Sequence, residues 1–275
     1  MKTQPIKLMG IYIFLIIGAI IMLYPYLWMV ISTFKGAREF YSSGLSLLVK
    51  NPNIDVYIHL FSVPDYPIMQ YLINSVVITF GTVFFTMLTG ILAGYALGRR
   101  VLPGRKPILF IFLGSMMLPA PALIIPLYFV AHHLHLLDTY PGITLALATF
   151  PLPFLIIYRF LKEVPRELED AARIDGAGEL RILWTILVPL ASPAIFSAAL
   201  LSFIWTWSAF ITPYILSTTE KWYTLPVSLF HFNNMVDFRL QELLGAATIA
   251  TIPVLIVFLV TQRRVFEGIS GGVKG

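Results

Sequence analysis

The stretch Arg159–Pro193, RFLKEVPRELEDAARIDGAGELRILWTILVPLASP, packs charge, alanine, glycine and proline into a short interval between two long apolar segments. Of the 275 residues, 58% are hydrophobic and 12% charged, about half the charged share of a water-soluble domain. Lipid therefore solvates most of the chain, and a polar helical loop inside it is a place to meet something outside the membrane. Pro165 suits the first turn of a helix, where a missing N–H leaves nothing unpaired. Glu167, Glu169 and Asp170 follow where the helix dipole favours negative charge. Ala171 and Ala172 favour helix and leave a flat surface, and Gly176 permits the positive φ of a sharp turn. A second helix is expected from Gly178, with Leu180, Leu183, Trp184 and Leu187 at the i, i+3, i+4, i+7 spacing of one apolar face. Pro189 and Pro193 mark its passage into the membrane. Taken alone, such a pattern is more often a solvated interfacial hairpin than a docking device.

Outward from this loop, six runs contain no Asp, Glu, Lys or Arg: Leu8–Phe34, Tyr66–Gly98, Pro107–Leu137, Thr139–Tyr158, Ile182–Thr219 and Leu243–Gln262. Each reaches the roughly 20 residues that a helix needs to cross the hydrocarbon layer. Six transmembrane helices are expected, with cores near 11–33, 71–97, 108–131, 141–160, 191–216 and 243–261. The first run is too long for a cleaved signal peptide, and no small-residue cleavage site follows it. Fourteen of the nineteen lysines and arginines fall in the N-terminus, the loops after the second and fourth runs, and the C-terminal tail. The bias toward positive charge inside makes those segments, and both termini, cytoplasmic. The net charge of +5 then fits a basic membrane face, with no nucleic acid among the partners. The outer segment from Lys35 to Gln70 reads as an ordered loop with short helical pieces. VLPGRKP at Val101–Pro107 reads as a tight turn, and Gly90, Ala93 and Gly94 would let helices approach closely.

Several functions are excluded by what the sequence lacks. There is no cysteine, hence no disulfide or thiolate metal site. His132, His133 and His135 read as a polar cap at the membrane surface, because two or three histidines beside Asp138 do not make a coordination sphere; no metal site and no catalytic residue is expected. No phosphate-binding GxxxxGK[ST] loop is present, so any energy for active transport comes from a partner. The apolar runs contain no carboxylate or basic group of the kind that ion-coupled transporters place in the membrane. Their polar groups are neutral. Asn74, Ser115, Trp205, Trp207, Ser208 and Tyr214 are the candidate pathway residues, since hydroxyls and aromatic faces suit an uncharged polyhydroxylated solute. The same residue types also serve as interhelical glue and interfacial anchors.

The loop resembles the signature of binding-protein-dependent ABC importer permeases, E-A-A-x3-G-x9-I-x-L-P. Here it reads Asp170, Ala171, Ala172, Gly176, Ile186, Val188 and Pro189 at matching spacing, with Asp for Glu and Val for Leu. Asn74–Ser75, the run Ala93-Gly94-Tyr95-Ala96-Leu97, Pro103-Gly104-Arg105 and the C-terminal Gly271-Gly272-Val273-Lys274-Gly275 are similar to the carbohydrate branch, and to its maltose-type six-helix permeases in particular. Relatives often carry Trp-Asn-Asp/Glu-Phe in the fifth helix. This chain has Trp207-Ser208-Ala209-Phe210 instead.

The resemblance implies an all-α integral membrane protein with the type I importer permease fold. A single permease domain would span 1–275, with core helices over 71–262, the coupling loop at 159–193 and a cytoplasmic tail at 263–275. It implies a multi-pass subunit of a bacterial or archaeal cytoplasmic membrane. The implied partners are a second permease in a heterodimer, two ATPase subunits and an extracytoplasmic solute-binding protein. No cofactor would be bound by this chain; ATP and Mg belong to the ATPase. The ATPase contact is expected at Glu169, Asp170, Ala171, Ala172, Asp175, Gly176, Ala177, Ile186, Val188 and Pro189. Gly271, Gly272, Val273, Lys274 and Gly275 are expected between the ATPase subunits, and Thr218–Trp222 near the binding protein. The implied cargo is a di- or oligosaccharide. A polyol or glycerol phosphate is the alternative within the family, and a secondary transporter is the alternative outside it.

Overall fold

The computed structural model describes residues 5–62, 67–233 and 239–271, with the side chains of all of these but 5–8, 120 and 263–271. Its elements are helices throughout. The chain runs α1 (Pro5–Ser32), α2 (Ala37–Ser42), α3 (Asp55–Ser62), α4 (Ile68–Arg99), α5 (Arg105–Ser115), α6 (Ala120–His133), α7 (Tyr140–Leu147) and α8 (Pro151–Glu163). It continues through α9 (Glu167–Ile174), α10 (Glu179–Ile182), a π-turn at Leu183–Leu187, α11 (Val188–Leu190), α12 (Ser192–Trp207), α13 (Ile211–Leu216), α14 (Leu225–Asn233) and α15 (Leu240–Gly271).

The six apolar runs are all helical, but only three are unbroken. These are α1, α4 and α15, each long and apolar enough to span a bilayer. The third run divides into α5 and α6 at 116–119. The fourth is α7 and α8, meeting at 54°, and the segment Glu179–Leu190 meets α12 at 78°. A further break at 208–210 separates α12 from α13. Proline explains three of these breaks: Pro121, Pro151 and Pro193 each sit in the first turn of a new helix. A proline has no N–H for the preceding turn, so a helix restarts at it more readily than it continues through it.

Packing divides the chain into two units, 1–69 with 228–253, and 70–227 with 254–275. In the first, Gln241 Nε2 donates to the carbonyls of Ser32 (2.9 Å) and Lys35 (2.6 Å), tying α15 to the end of α1. The buried Lys35 ammonium donates to Ser43 Oγ and the Ser46 carbonyl at 2.8 and 2.6 Å, which folds the outer loop back onto the helix end. A Cβ on Gly245 would lie 2.6 Å from Val56 Cγ1, so glycine is what lets α3 and α15 touch.

In the second unit, α4 lies against α8. A Cβ on Gly90 would stand 3.1 Å from Ile157 Cδ1, and one on Gly94 3.4 Å from the Tyr158 amide nitrogen. The small residues therefore set this helix spacing, as expected. Ile91, Tyr95, Ile157, Leu161, Val164, Ile182, Leu183, Leu187 and Ala191 are buried together where α4, α8 and the π-turn meet. A second cluster of Ile78, Ala131, Ile143, Leu147 and Leu216 joins α4, α6, α7 and α13.

The π-turn changes the expected face of the second loop helix. Leu183 and Leu187 are buried as the spacing predicts, but Leu180 and Trp184 are exposed and Ile182 takes the inward position. One wide turn shifts the register by about one residue, so a strict 3.6-residue count misassigns the positions on either side.

Candidate functional site

The loop at 159–193 is two short helices held on the end of α4 by a ring of charges. After Pro165, the carbonyl of Arg166 accepts from the amides of Glu169 and Asp170 at 3.0 and 3.1 Å and starts α9. The helix stops where Gly176 adopts φ +79°, and the Ala177 amide bonds back to the Ala172 carbonyl at 2.9 Å. This is the turn that the glycine was expected to make. Gly178 precedes α10 in extended conformation.

Arg99, at the last residue of α4, has a side chain 2% exposed. Its Nε donates to Glu169, and its Nη1 donates to the Val164 carbonyl at 2.6 Å. One guanidinium thus joins α4, the end of α8 and the start of α9. Glu169 also accepts from Arg173 Nη2 at 2.8 Å, while Arg173 reaches Asp170 Oδ1 at 2.6 Å and Glu179 Oε1 at 3.2 Å. Glu179 in turn accepts from Tyr95 and pairs with Arg100, which returns the ring to α4. Burial works against the Arg173 charge, but the hydrogen bond and charge of Glu169 outweigh it and hold the guanidinium above its ordinary pKa. A cleft of about 530 Å3 opens beside the ring, lined by Arg99, Arg100, Val101, Leu102, Arg166, Glu169, Asp170 and Arg173.

The structure separates the expected contact residues by role. Glu169 is buried and turned inward, so it fastens the loop to α4. Asp170, Ala171, Asp175, Gly176 and Pro189 are exposed. Ala172, Ala177 and Val188 are half-buried against the core beneath, and Ile186 is also half-buried. The most exposed large apolar side chain of α9 is Ile174, 87% exposed, with Leu168 also exposed on this helix. Neither stands at a signature position. The available signal was an isoleucine facing away from the Glu169–Arg173 pair, which sits at i, i+4 on the inner face.

The outer end of the unit is braced just as firmly. Asn74 Nδ2 donates to the carbonyls of Lys221 and Tyr223 at 2.8 and 2.9 Å, and Asn74 Oδ1 accepts from Tyr140 and Gln70 at 2.8 and 2.9 Å. These four bonds use its donors and lone pairs completely, so Asn74 organises the 218–223 segment. Asp138 accepts from the amides of Thr218 (2.7 Å) and Thr219 (3.2 Å) on the other side. Trp222 sets its ring edge-on against Tyr140 at 4.9 Å. Trp207 is buried and stacks on Phe203 at 5.8 Å, which makes it core. Ser115, Trp205, Ser208 and Tyr214 are exposed. Among the described residues no group of His, Asp and Glu is placed to hold a metal. His132 stacks on Tyr128, and His133 Nδ1 lies 2.7 Å from the Phe129 carbonyl. Of the C-terminal contact residues, Gly271 ends α15, and Gly272, Val273, Lys274 and Gly275 lie outside the described residues.

The family described as "Binding-protein-dependent transport system inner membrane component" matches residues 86–269. The chain belongs to that family. Inner membrane components of this family are transport proteins and not enzymes, and they operate with an ATPase and a solute-binding protein. The matched interval takes in the charge ring, both loop helices and the braced outer segment. The chain is 32% identical over 262 residues to the diacetylchitobiose uptake system permease protein NgcG of Streptomyces coelicolor, covering 94% of this chain and 86% of that one. It is also 32% identical over 271 residues to the trehalose/maltose transport system permease protein MalG of Thermococcus litoralis, covering 96% and 97%. In fold it is similar to a chain from the crystal structure of a bacterial ABC transporter involved in import of the acidic polysaccharide alginate. That match has a TM-score of 0.85 at 24% identity and covers 96% of this chain and 98% of the other. As an inner membrane component with this fold, the chain is an ABC importer permease of the cytoplasmic membrane.

Proposed function

We propose that this permease carries a neutral di- or oligosaccharide, paired with a second, different permease and driven by two ATPase subunits that bind ATP and Mg. The signature Asp170–Pro189 is presented on an exposed loop that a buried arginine fastens to a membrane helix, and this observation carries the coupling half of the reading. α9 docks on the ATPase through Ala171 and Ile174, and its displacement moves α4 through Arg99. The sugar half is supported by the uncharged apolar runs and by relatives named for the uptake of diacetylchitobiose and of trehalose and maltose. The tail Gly271–Gly275 lies between the ATPase subunits in this reading. Purification of the tagged chain in mild detergent tests it, followed by uptake assays with radiolabelled disaccharides. Co-purification of an ATPase, a different permease and a solute-binding protein, with ATP-dependent disaccharide uptake, is the expected result. A chain that purifies alone and transports without ATP would overturn it.

A further inference from the structure

Two helix breaks meet on one exposed face of the second unit. The first is at 148–150, between α7 and α8, and the second at 208–210, between α12 and α13. Both fall far from charge: Phe150 is midway between Asp138 and Arg159, and Trp205 lies well inside the uncharged run Ile182–Thr219. A parallel ring stack of Phe150 on Trp205, with centroids 4.3 Å apart and planes 1° apart, joins them. Trp205 is nevertheless half exposed, and Thr149 and Ser208 are exposed beside it. Thr149 and Ser208 hydroxyls turn back to the carbonyls of Ala146 and Ile204, one turn earlier.

Helix breaks leave backbone groups without helical partners. At membrane depth such backbone is tolerated only where protein covers it or where it lines an aqueous cavity. Irregular backbone on an exposed face is not tolerated against lipid, so this face meets water or protein. Its chemistry is an aromatic plane flanked by two hydroxyls and by unwound backbone, with no carboxylate or basic side chain in either run. We infer that Phe150 and Trp205, with Thr149 and Ser208, form this subunit's own contact for the passing sugar: the indole stacks on a pyranose ring, and the hydroxyls bond to its OH groups. The assignment rests on the sugar reading above and adds a place for it. It also replaces Asn74 and Trp207, which the structure commits to other work, and brings in Phe150 and Thr149.

The test is uptake by the whole importer in proteoliposomes, using radiolabelled maltose, trehalose and glycerol 3-phosphate as probes. Trp205→Ala and Phe150→Leu each lower disaccharide uptake about tenfold, the scale of one lost aromatic contact. ATP hydrolysis and co-purification of the second permease stay intact, and Trp205→Phe retains most of the uptake. Disaccharide uptake that survives Trp205→Ala overturns the site and leaves the sugar reading standing. Loss of the second permease from the Trp205→Ala complex overturns the site by making this face a subunit interface. Wild-type uptake of glycerol 3-phosphate in place of the disaccharides overturns both together.

Discussion

Arg99 and Glu169 lie seventy residues apart in sequence and form a buried ion pair, with side chains 2% and 4% exposed. The pair joins the last residue of a membrane-spanning helix to the helix that carries the family signature. Two charges removed from water at the edge of the bilayer hold together only with further hydrogen bonds. The carbonyl of Val164 and the guanidinium of Arg173 supply them.

Arg99→Met leaves Glu169 buried beside a single remaining cation, which costs about 3–5 kcal/mol for a broken buried pair. The detergent-solubilised protein should melt well below wild type in a tryptophan-fluorescence scan. Adding Glu169→Gln removes the orphaned charge and should recover part of the loss. Equal melting of Arg99→Met and wild type would show that the pair contributes nothing.

Gly176 has open space around its Cβ position but a φ of +79°. The demand there is on the backbone and not on volume. Gly176→Asn should transport nearly normally, since asparagine adopts this conformation readily. Gly176→Val should insert in the membrane, strain the turn by ~1–2 kcal/mol and lose ATP-driven uptake. Equal transport by the two variants would contradict the turn's role.

Gly142 is the opposite case. It lies in the first turn of α7, where its amide bonds to Thr139 Oγ1 at 3.1 Å. An added Cβ would stand 2.0 Å from the Leu136 carbonyl oxygen, and neither backbone can give way cheaply. Gly142→Ala should sharply reduce the yield of monodisperse protein in size-exclusion chromatography, while Gly114→Ala, with nothing near its Cβ position, should not.

Asp138 holds the segment that follows α13 through two amides and the Thr218 hydroxyl. Asp138→Ala leaves those donors without the carboxylate and should cost about 1–3 kcal/mol. Hydrogen exchange at 217–223 should accelerate while exchange in α4 stays slow. Unchanged exchange in the segment would show that Asp138 does not hold it.

The membrane helices and the two-helix loop at 159–193 were legible because their signals are local: charge-free runs, prolines at helix starts, and a signature spread over twenty residues. The inward turn of Glu169 was not legible: the signature places it beside Asp170, but adjacent residues on a helix face directions about 100° apart. Its partner Arg99 lies on another helix, and nothing in the spacing announces it. The packing of Asn74 and Trp207 was not legible, because composition separates polar from apolar but not bound from free. The break at 148–150 was half visible, in Pro151; nothing as strong marks 208–210. Their meeting through Phe150 and Trp205 is a tertiary fact.

The central claim is that α9 is the surface on which the ATPase docks, and the absence of cysteine makes it directly testable. Ile174→Cys places a single thiol at the helix's most exposed large apolar position. In membranes containing the whole importer, a short thiol-to-amine cross-linker should then capture the ATPase subunit, with a yield that changes when ATP is added. Lys50→Cys, in the outer loop, should capture none. An importer that still takes up solute while Ile174→Cys yields no ATPase adduct would contradict the account.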